Sequence, residues 1–171
     1  TLSSKHPAYN PYSYQNGAVW PHDNALIAVG FRRYGFDAEA TQVMAQVCGA
    51  ASYFTQHQLP ELYSGLPREA GGFPVQYLGA NTPQAWAAGS CFAFLQMILG
   101  VAPDAPNGKL YLDPALPEWL PALTMRDLSV GAALFDISFW RDGDVTRFEV
   151  LKGDPHAVEQ KSFATQTHRW L

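Results

Sequence analysis

The stretch from Ala85 to Leu99 constrains this chain more than any other, because it carries no charged side chain and is apolar almost all round. Asn81 or Thr82 can cap it, Pro83 stands near its first position and Gly100 ends it, so the spacing predicts a helix. A helix without a polar face is buried on every side. The rest of the chain predicts too few helices to cover it. Further sequence, or a second copy of the chain, is therefore expected to complete its surroundings.

Two helices are predicted upstream. Pro21 opens one that runs to about Tyr34, with Asp23 favourably placed in its first turn. Leu26, Ile27, Phe31 and Tyr34 recur on it at helical spacing, and Gly35 terminates it. Asp37 can cap a second helix of about twenty residues, along which Ala40, Val43, Met44, Val47, Ala51 and Phe54 form a stripe. Residues 1–20 are rich in Pro, Tyr, Asn and Ser and predict an ordered loop. After Pro103 the pattern turns to short strands at 110–112 and 123–125. A hairpin then follows from Ala133 to Trp140 and Val145 to Leu151, with Phe135, Ile137 and Phe139 on one face. The last twenty residues carry weak signals and predict a final strand or a disordered tail.

Eleven basic against fifteen acidic residues give a net charge of −4 without a basic run. Nucleic acid and anionic membrane are thus poor partners for this surface. Charged residues are scarce at 15 % while aromatics reach 13 %, including five Trp. That balance suits stacking on the apolar faces of sugar rings, or equally a large aromatic core or a buried interface. Cys48 and Cys91 fall inside predicted apolar helices and read as reduced core residues. His6, His22, His57, His156 and His168 are scattered, so no metal and no cofactor is expected. There is neither a long apolar run nor a signal peptide, which points to the cytoplasm.

Between Ala40 and Pro103 the only acidic residues are Glu61 and Glu69, and both lie in the loop between the second and third helices. Glu61 sits in Leu59-Pro60-Glu61-Leu62-Tyr63-Ser64-Gly65, among apolar and aromatic neighbours that would desolvate it and raise its pKa. A single carboxylate in such a setting suits general acid–base chemistry on a neutral substrate.

Leu-Pro-Glu-Leu at 59–62, then Gln84-Ala85-Trp86 opening an apolar helix, resembles the C-terminal catalytic part of the glycogen-debranching amylo-α-1,6-glucosidase group. Asn16-Gly17-Ala18-Val19-Trp20-Pro21 is similar to that group's Asn-Gly-x-Val-Trp-Pro segment. Leu116-Pro117-Glu118-Trp119 and Leu128-Ser129-Val130-Gly131 resemble its small β appendage. The resemblance implies a mainly α chain: part of an (α/α)6 barrel with three to four helices over residues 1–103, then a small antiparallel sheet or hairpin over 104–171. A whole barrel needs twelve helices, on the order of 300 residues, so this chain would be the C-terminal part of a longer protein.

The same resemblance implies an inverting hydrolysis of an α-glucosidic, α-1,6 branch linkage in an oligosaccharide or glucan. Glu61 matches the general base, and no segment here matches the general acid, which would come from the N-terminal remainder of the protein or a second copy. Glu69 is the fallback carboxylate, or else a solvated rim residue. Trp20 and Trp86 are candidates to stack on sugar, or else core residues. His22, kept neutral by a helix N-terminus, could bond a substrate hydroxyl or simply cap or pack. Asp23, Tyr63 and Gln84 complete the polar candidates, with Tyr14, Gln15 and Asn16 nearby. The rivals are a glycosidase acting on another α-linked sugar such as a mannoside or rhamnoside, and a non-catalytic glucan-binding or oligomerisation domain. A second carboxyl facing Glu61 across a pocket would separate enzyme from binding module.

Overall fold

The computed structural model describes residues 1–165. His168 and the end of the anticipated tail lie outside the described residues. Three α-helices form, α1 (Pro21–Arg33), α2 (Asp37–Ala51) and α3 (Ala85–Leu99). Six strands follow: β1 (Ala102–Asp104), β2 (Lys109–Leu112), β3 (Ala122–Val130), β4 (Ala133–Asp142), β5 (Val145–Lys152) and β6 (Val158–Gln160). They make two three-stranded sheets, ordered β1-β2-β6 and β3-β4-β5.

With 33 % helix against 24 % strand, the class is mixed α/β. This overturns the expectation of a mainly α chain, a partial (α/α)6 barrel ending in one small β element. The hairpin was legible from its alternation, β2 was expected at 110–112 and a final strand was one of two alternatives for the last twenty residues, but β1 and the pairing of these three into a second sheet were not legible. β1 contains a proline, and β6 pairs in parallel with β2 across a long separation. Neither leaves a local sequence pattern.

The described chain divides into two compact units, one of Thr1–Gly30 with Ala38–Phe94, the other of Phe31–Asp37 with the chain from Leu95 onward. In the first unit α1 buries Pro21, Ala25 and Ala28. Leu26 and Ile27, expected to face the core, are exposed instead. The periodicity was right and the face was not: α1 buries its small alanines, and the bulkier pair is turned outward. α2 buries Ala40, Met44, Val47 and Ala50 and stops at Ala51, shorter than expected. His57 therefore sits beyond it, in a 3-10 turn with a left-handed φ of 57°.

α3 was expected to be buried on every side. Ala87, Ser90, Phe94, Met97, Ile98 and Leu99 are buried, but Trp86 is 50 % and Phe92 74 % exposed. Cys91 on the same helix is exposed and Cys48 is half-buried, both as free thiols, so neither is the core cysteine expected. Apolar composition states what a helix tolerates; only packed neighbours can bury it.

In the second unit β4 is the central strand of a meander. It pairs antiparallel with β3 and β5, and Phe135, Ile137 and Phe139 are fully buried along it. The β4–β5 turn closes at the pair Asp142–Val145 over Gly143-Asp144. The segment before β3 is tied to the sheet by Leu116, whose N–H donates to Thr146 Oγ1 at 2.8 Å. The Leu116 carbonyl accepts from Arg141 Nη1 at 2.7 Å. Arg32 organises the rest of this unit: Nη2 donates to the Asp113 carbonyl at 2.9 Å and to its Oδ2 at 3.1 Å, and Nη1 donates to Asp37 Oδ1 at 2.9 Å. The Phe163 N–H also donates to Asp113 Oδ2, at 2.8 Å. Among the described residues no helix is long and apolar enough to cross a membrane.

Candidate functional site around Glu61

Six consecutive residues, Leu59 to Ser64, are buried although they belong to no helix or strand. A buried irregular segment must place its backbone polar groups, and this one bonds several of them to distant neighbours. Glu61 N–H donates to the Asn81 carbonyl at 2.9 Å, Tyr63 and Val19 exchange a pair of bonds at 2.8 and 3.0 Å, and Ser64 N–H donates to the Val75 carbonyl at 2.8 Å. Three strands of chain, around Val19, Tyr63 and Gln76, thus lie side by side. The crossing is tight at Gly65, where a Cβ would fall 1.9 Å from the Gly17 carbonyl oxygen. Glycine is the residue that permits so close a backbone approach. The Tyr9 hydroxyl donates to the Gly65 carbonyl at the same place.

This framework holds the Glu61 side chain at only 7 % exposure. Oε1 accepts a hydrogen bond from the Tyr14 hydroxyl, and Oε2 accepts from Asn81 N–H at 3.3 Å and Asn81 Nδ2 at 3.2 Å. The Tyr14 bond is the main reason the Glu61 pKa lies below the ordinary carboxylate value. Burial pushes the other way, and the Asn81 bonds and the nearby His22 add to the lowering. The sequence-based expectation of a raised pKa is therefore corrected. Desolvation is present, but donors aimed at the ionised form outweigh it. Reciprocally, donation to the Glu61 carboxylate raises the Tyr14 pKa and keeps its proton in place.

Aromatic rings continue outward from this pair. Tyr14 meets Trp20 edge-on at 4.7 Å and Tyr77 at 5.6 Å, and Trp20 Nε1 donates to the Tyr14 carbonyl at 3.1 Å. Trp20 packs edge-on against His22, whose ring lies parallel to Trp86 at 4.0 Å. His22 Nε2 is 3.0 Å from Asp23 Oδ1. A carboxylate only accepts, so His22 is the donor of this contact through Nε2, and Nδ1 is the other ring nitrogen. That Nδ1 is buried and has no hydrogen-bond partner among the described residues.

Of the residues singled out from sequence, Glu61, Trp20, His22, Asp23 and Trp86 come together. Asp23 engages His22 and does not stand free for a ligand. Gln84 departs from its expected place: its Oε1 accepts from Trp86 N–H at 2.9 Å and Ala87 N–H at 3.3 Å, capping α3. That is the job expected of Asn81 or Thr82, and Asn81 is instead committed to Glu61. Tyr63 and Glu69 line a separate cavity of about 580 Å³, bounded on one side by Val43, Val47 and Ala50 of α2, and Glu61 is not on its wall. Sequence reasoning missed Asn81 and Tyr77 as partners of the site. No local pattern marks Asn81, which meets Glu61 only through the fold, whereas Tyr77 was recognisable at most as one more aromatic. Among the described residues no three His, Cys, Asp or Glu side chains are grouped as metal ligands would be.

The arrangement offers an ionised carboxylate held in a fixed orientation, with aromatic faces beside it. Two of the three donors occupy Oε2, so Oε1 keeps acceptor capacity beyond its bond to Tyr14. The group can take a proton from a bound water, or accept a hydrogen bond from a neutral hydroxylated ligand. No protein-family model matches the chain, and no curated protein matches it in sequence.

Proposed function

We propose that this chain supplies the base side of an α-glycosidase active site, with Glu61 deprotonating the water that attacks the sugar. The observation that carries this reading is the buried Glu61 carboxylate, kept ionised by Tyr14 and Asn81, with Trp20 edge-on against that Tyr14. A general base must be charged before it can accept a proton, and the donors aimed at the Glu61 carboxylate favour its ionised form. Trp86 and Trp20 would take the apolar face of a pyranose ring. The α-1,6-glucosidic linkage rests on the motif resemblance, as does the inverting course.

Inversion requires a second carboxyl about 6.5–9.5 Å from the base. Asp23, the further carboxylate of this cluster, is engaged by His22 and so is not free to act as that acid. The acid is accordingly assigned to protein outside this chain, either an N-terminal remainder or a second copy. The same observation favours a second reading, in which the chain alone is a glucan-binding module.

Binding separates these readings from a purely structural Glu61. Isomaltose and the cationic iminosugar 1-deoxynojirimycin would be titrated into the wild-type chain and the Glu61→Gln variant. The iminosugar is expected to bind the wild type and to lose affinity in the variant, since the charge it pairs with is gone. Equal binding to both proteins, or to neither, would remove the sugar site from Glu61. Reducing-sugar release from a branched glucan by the wild type, lost in Glu61→Gln, would show that the chain also recruits its acid.

A further inference from the structure

The cavity beside α2 is not part of the Glu61 cluster, and its wall has a consistent chemistry. Most of it is apolar, from Val43, Val47 and Ala50 on α2 to Phe73, Pro74 and Val75 on the returning loop. Its volume of about 580 Å³ lies in the range that encloses a small organic ligand. Asn24, Gln46, Tyr53, Tyr63, Ser64, Arg68 and the Glu69 carboxylate interrupt the apolar lining, and three of them bear on what it would hold.

Ser64 is 6 % exposed and its Oγ is buried without a hydrogen-bond partner among the described residues. A native hydroxyl left this way forfeits a bond that a ligand could supply. Tyr63 supplies a phenol, and burial pushes its pKa up to about 12, so it remains a donor throughout the physiological range. Arg68 supplies a guanidinium lying 3.7 Å from where a Gly49 Cβ would stand, against α2. It forms no ion pair among the described residues, although Glu69 is its neighbour in sequence. The charge felt at the Tyr63 phenol is that of Arg68.

We propose that this cavity is a binding site for a small organic monocarboxylate with an apolar body, its carboxylate on Arg68 and Ser64 and its body against Val43, Val47 and Phe73. Arg68 is the cation of this lining and forms no ion pair with the Glu69 carboxylate on the same wall, so its guanidinium favours an anion over a neutral polyol. Guanidinium and carboxylate match in a planar, two-bonded geometry that a hydroxyl cannot reproduce. The apolar wall selects against small hydrophilic anions, which have nothing to place there. The site is independent of the reading given for Glu61 and stands or falls without it.

The probe is 4-phenylbutyrate, compared with its neutral amide and with isomaltose, titrated into the full chain while amide resonances of residues 43–50 and 63–75 are followed. The carboxylate is expected to shift these resonances saturably and the amide to bind about tenfold more weakly. Arg68→Gln, at an exposed position, should weaken the carboxylate about tenfold and leave the amide unchanged. Ser64→Ala should weaken it by a smaller factor, and Glu61→Gln should have no effect. Three results would each overturn the proposal: no saturable shift with the carboxylate, equal affinity for acid and amide, or an Arg68→Gln variant that binds like wild type. Isomaltose shifting these same resonances, unaffected by Arg68→Gln, would make the cavity a sugar site instead.

Discussion

The two units solve the same problem of satisfying buried backbone in opposite ways. In the second, β3, β4 and β5 pair in long antiparallel ladders, each interrupted once by a bulge, so most bonds belong to a repeating series and neighbouring bonds protect one another. In the first, the segment carrying Glu61 is held by one exchanged pair of bonds with Val19 and by single bonds to Val75 and Asn81. A ladder tolerates the loss of one rung, whereas a set of unlike bonds has no redundancy. The irregular unit is also the one that carries the buried carboxylate and the cavity. Chemistry needs side chains presented in directions that a regular ladder does not offer.

Breaking the framework at its tightest crossing should give the largest effect. Gly65→Ala would set a Cβ 1.9 Å from the Gly17 carbonyl oxygen, so backbone must move. We expect about 3 kcal/mol of destabilisation. Hydrogen exchange should report it as lost protection around Val19 and Tyr63 while β3–β5 keep theirs. Equal loss in both units would mean that they unfold as one body and that the contrast drawn here is not energetic.

Arg32→Ala tests the second unit in turn. It removes three bonds from a largely buried guanidinium and leaves Asp113 with one donor fewer. A loss of roughly 2–4 kcal/mol is expected in denaturant unfolding. A change well under that would show that the ladders, and not this hub, hold the unit together.

Tyr14→Phe sharpens the comparison at a single titrating group. The Tyr14 bond is the principal term lowering the Glu61 pKa and burial opposes it, so the variant should raise that pKa. Carboxyl carbon NMR across an acid titration would show the midpoint moving upward, and an unmoved midpoint would reassign the cause to Asn81. The sign carries over to stability. A folded pKa below the unfolded one adds stability above the unfolded value, and that stability is lost as the pH falls through the folded value. Glu61→Gln should therefore flatten the acid limb of the stability curve, leaving the neutral-to-alkaline side unchanged in shape.

The smallest effect is expected at the bulge in β3. Asp127 adopts a φ of 54° there, its N–H donates to Asp136 Oδ1 at 2.8 Å, and its carboxylate meets Lys152 at 3.2 Å. Alanine tolerates that backbone less well and loses an exposed ion pair, for a cost of about 1 kcal/mol. Asp127→Gly should recover most of it. A glycine variant as unstable as the alanine one would place the cost in the ion pair and not in the backbone.

Much of the local structure was legible in the residues. Pro21 and Gly35 bracket α1, Pro83 and Gly100 bracket α3, and the alternation around Phe135, Ile137 and Phe139 marks β4, because these signals act within a few residues of where they are written. Glu61 stood out for a similar reason, as one of only two acids in a long apolar stretch. What tertiary structure decided was every property that depends on residues far apart in the chain. It chose the alanine face of α1, left Trp86 and Phe92 exposed on α3, paired β2 with β6, and gave Asn81 to Glu61 and the α3 cap to Gln84. It also reversed the direction of the Glu61 pKa shift, because apolar neighbours in sequence announce desolvation while the donors that defeat it, Tyr14 and Asn81, arrive only through the fold.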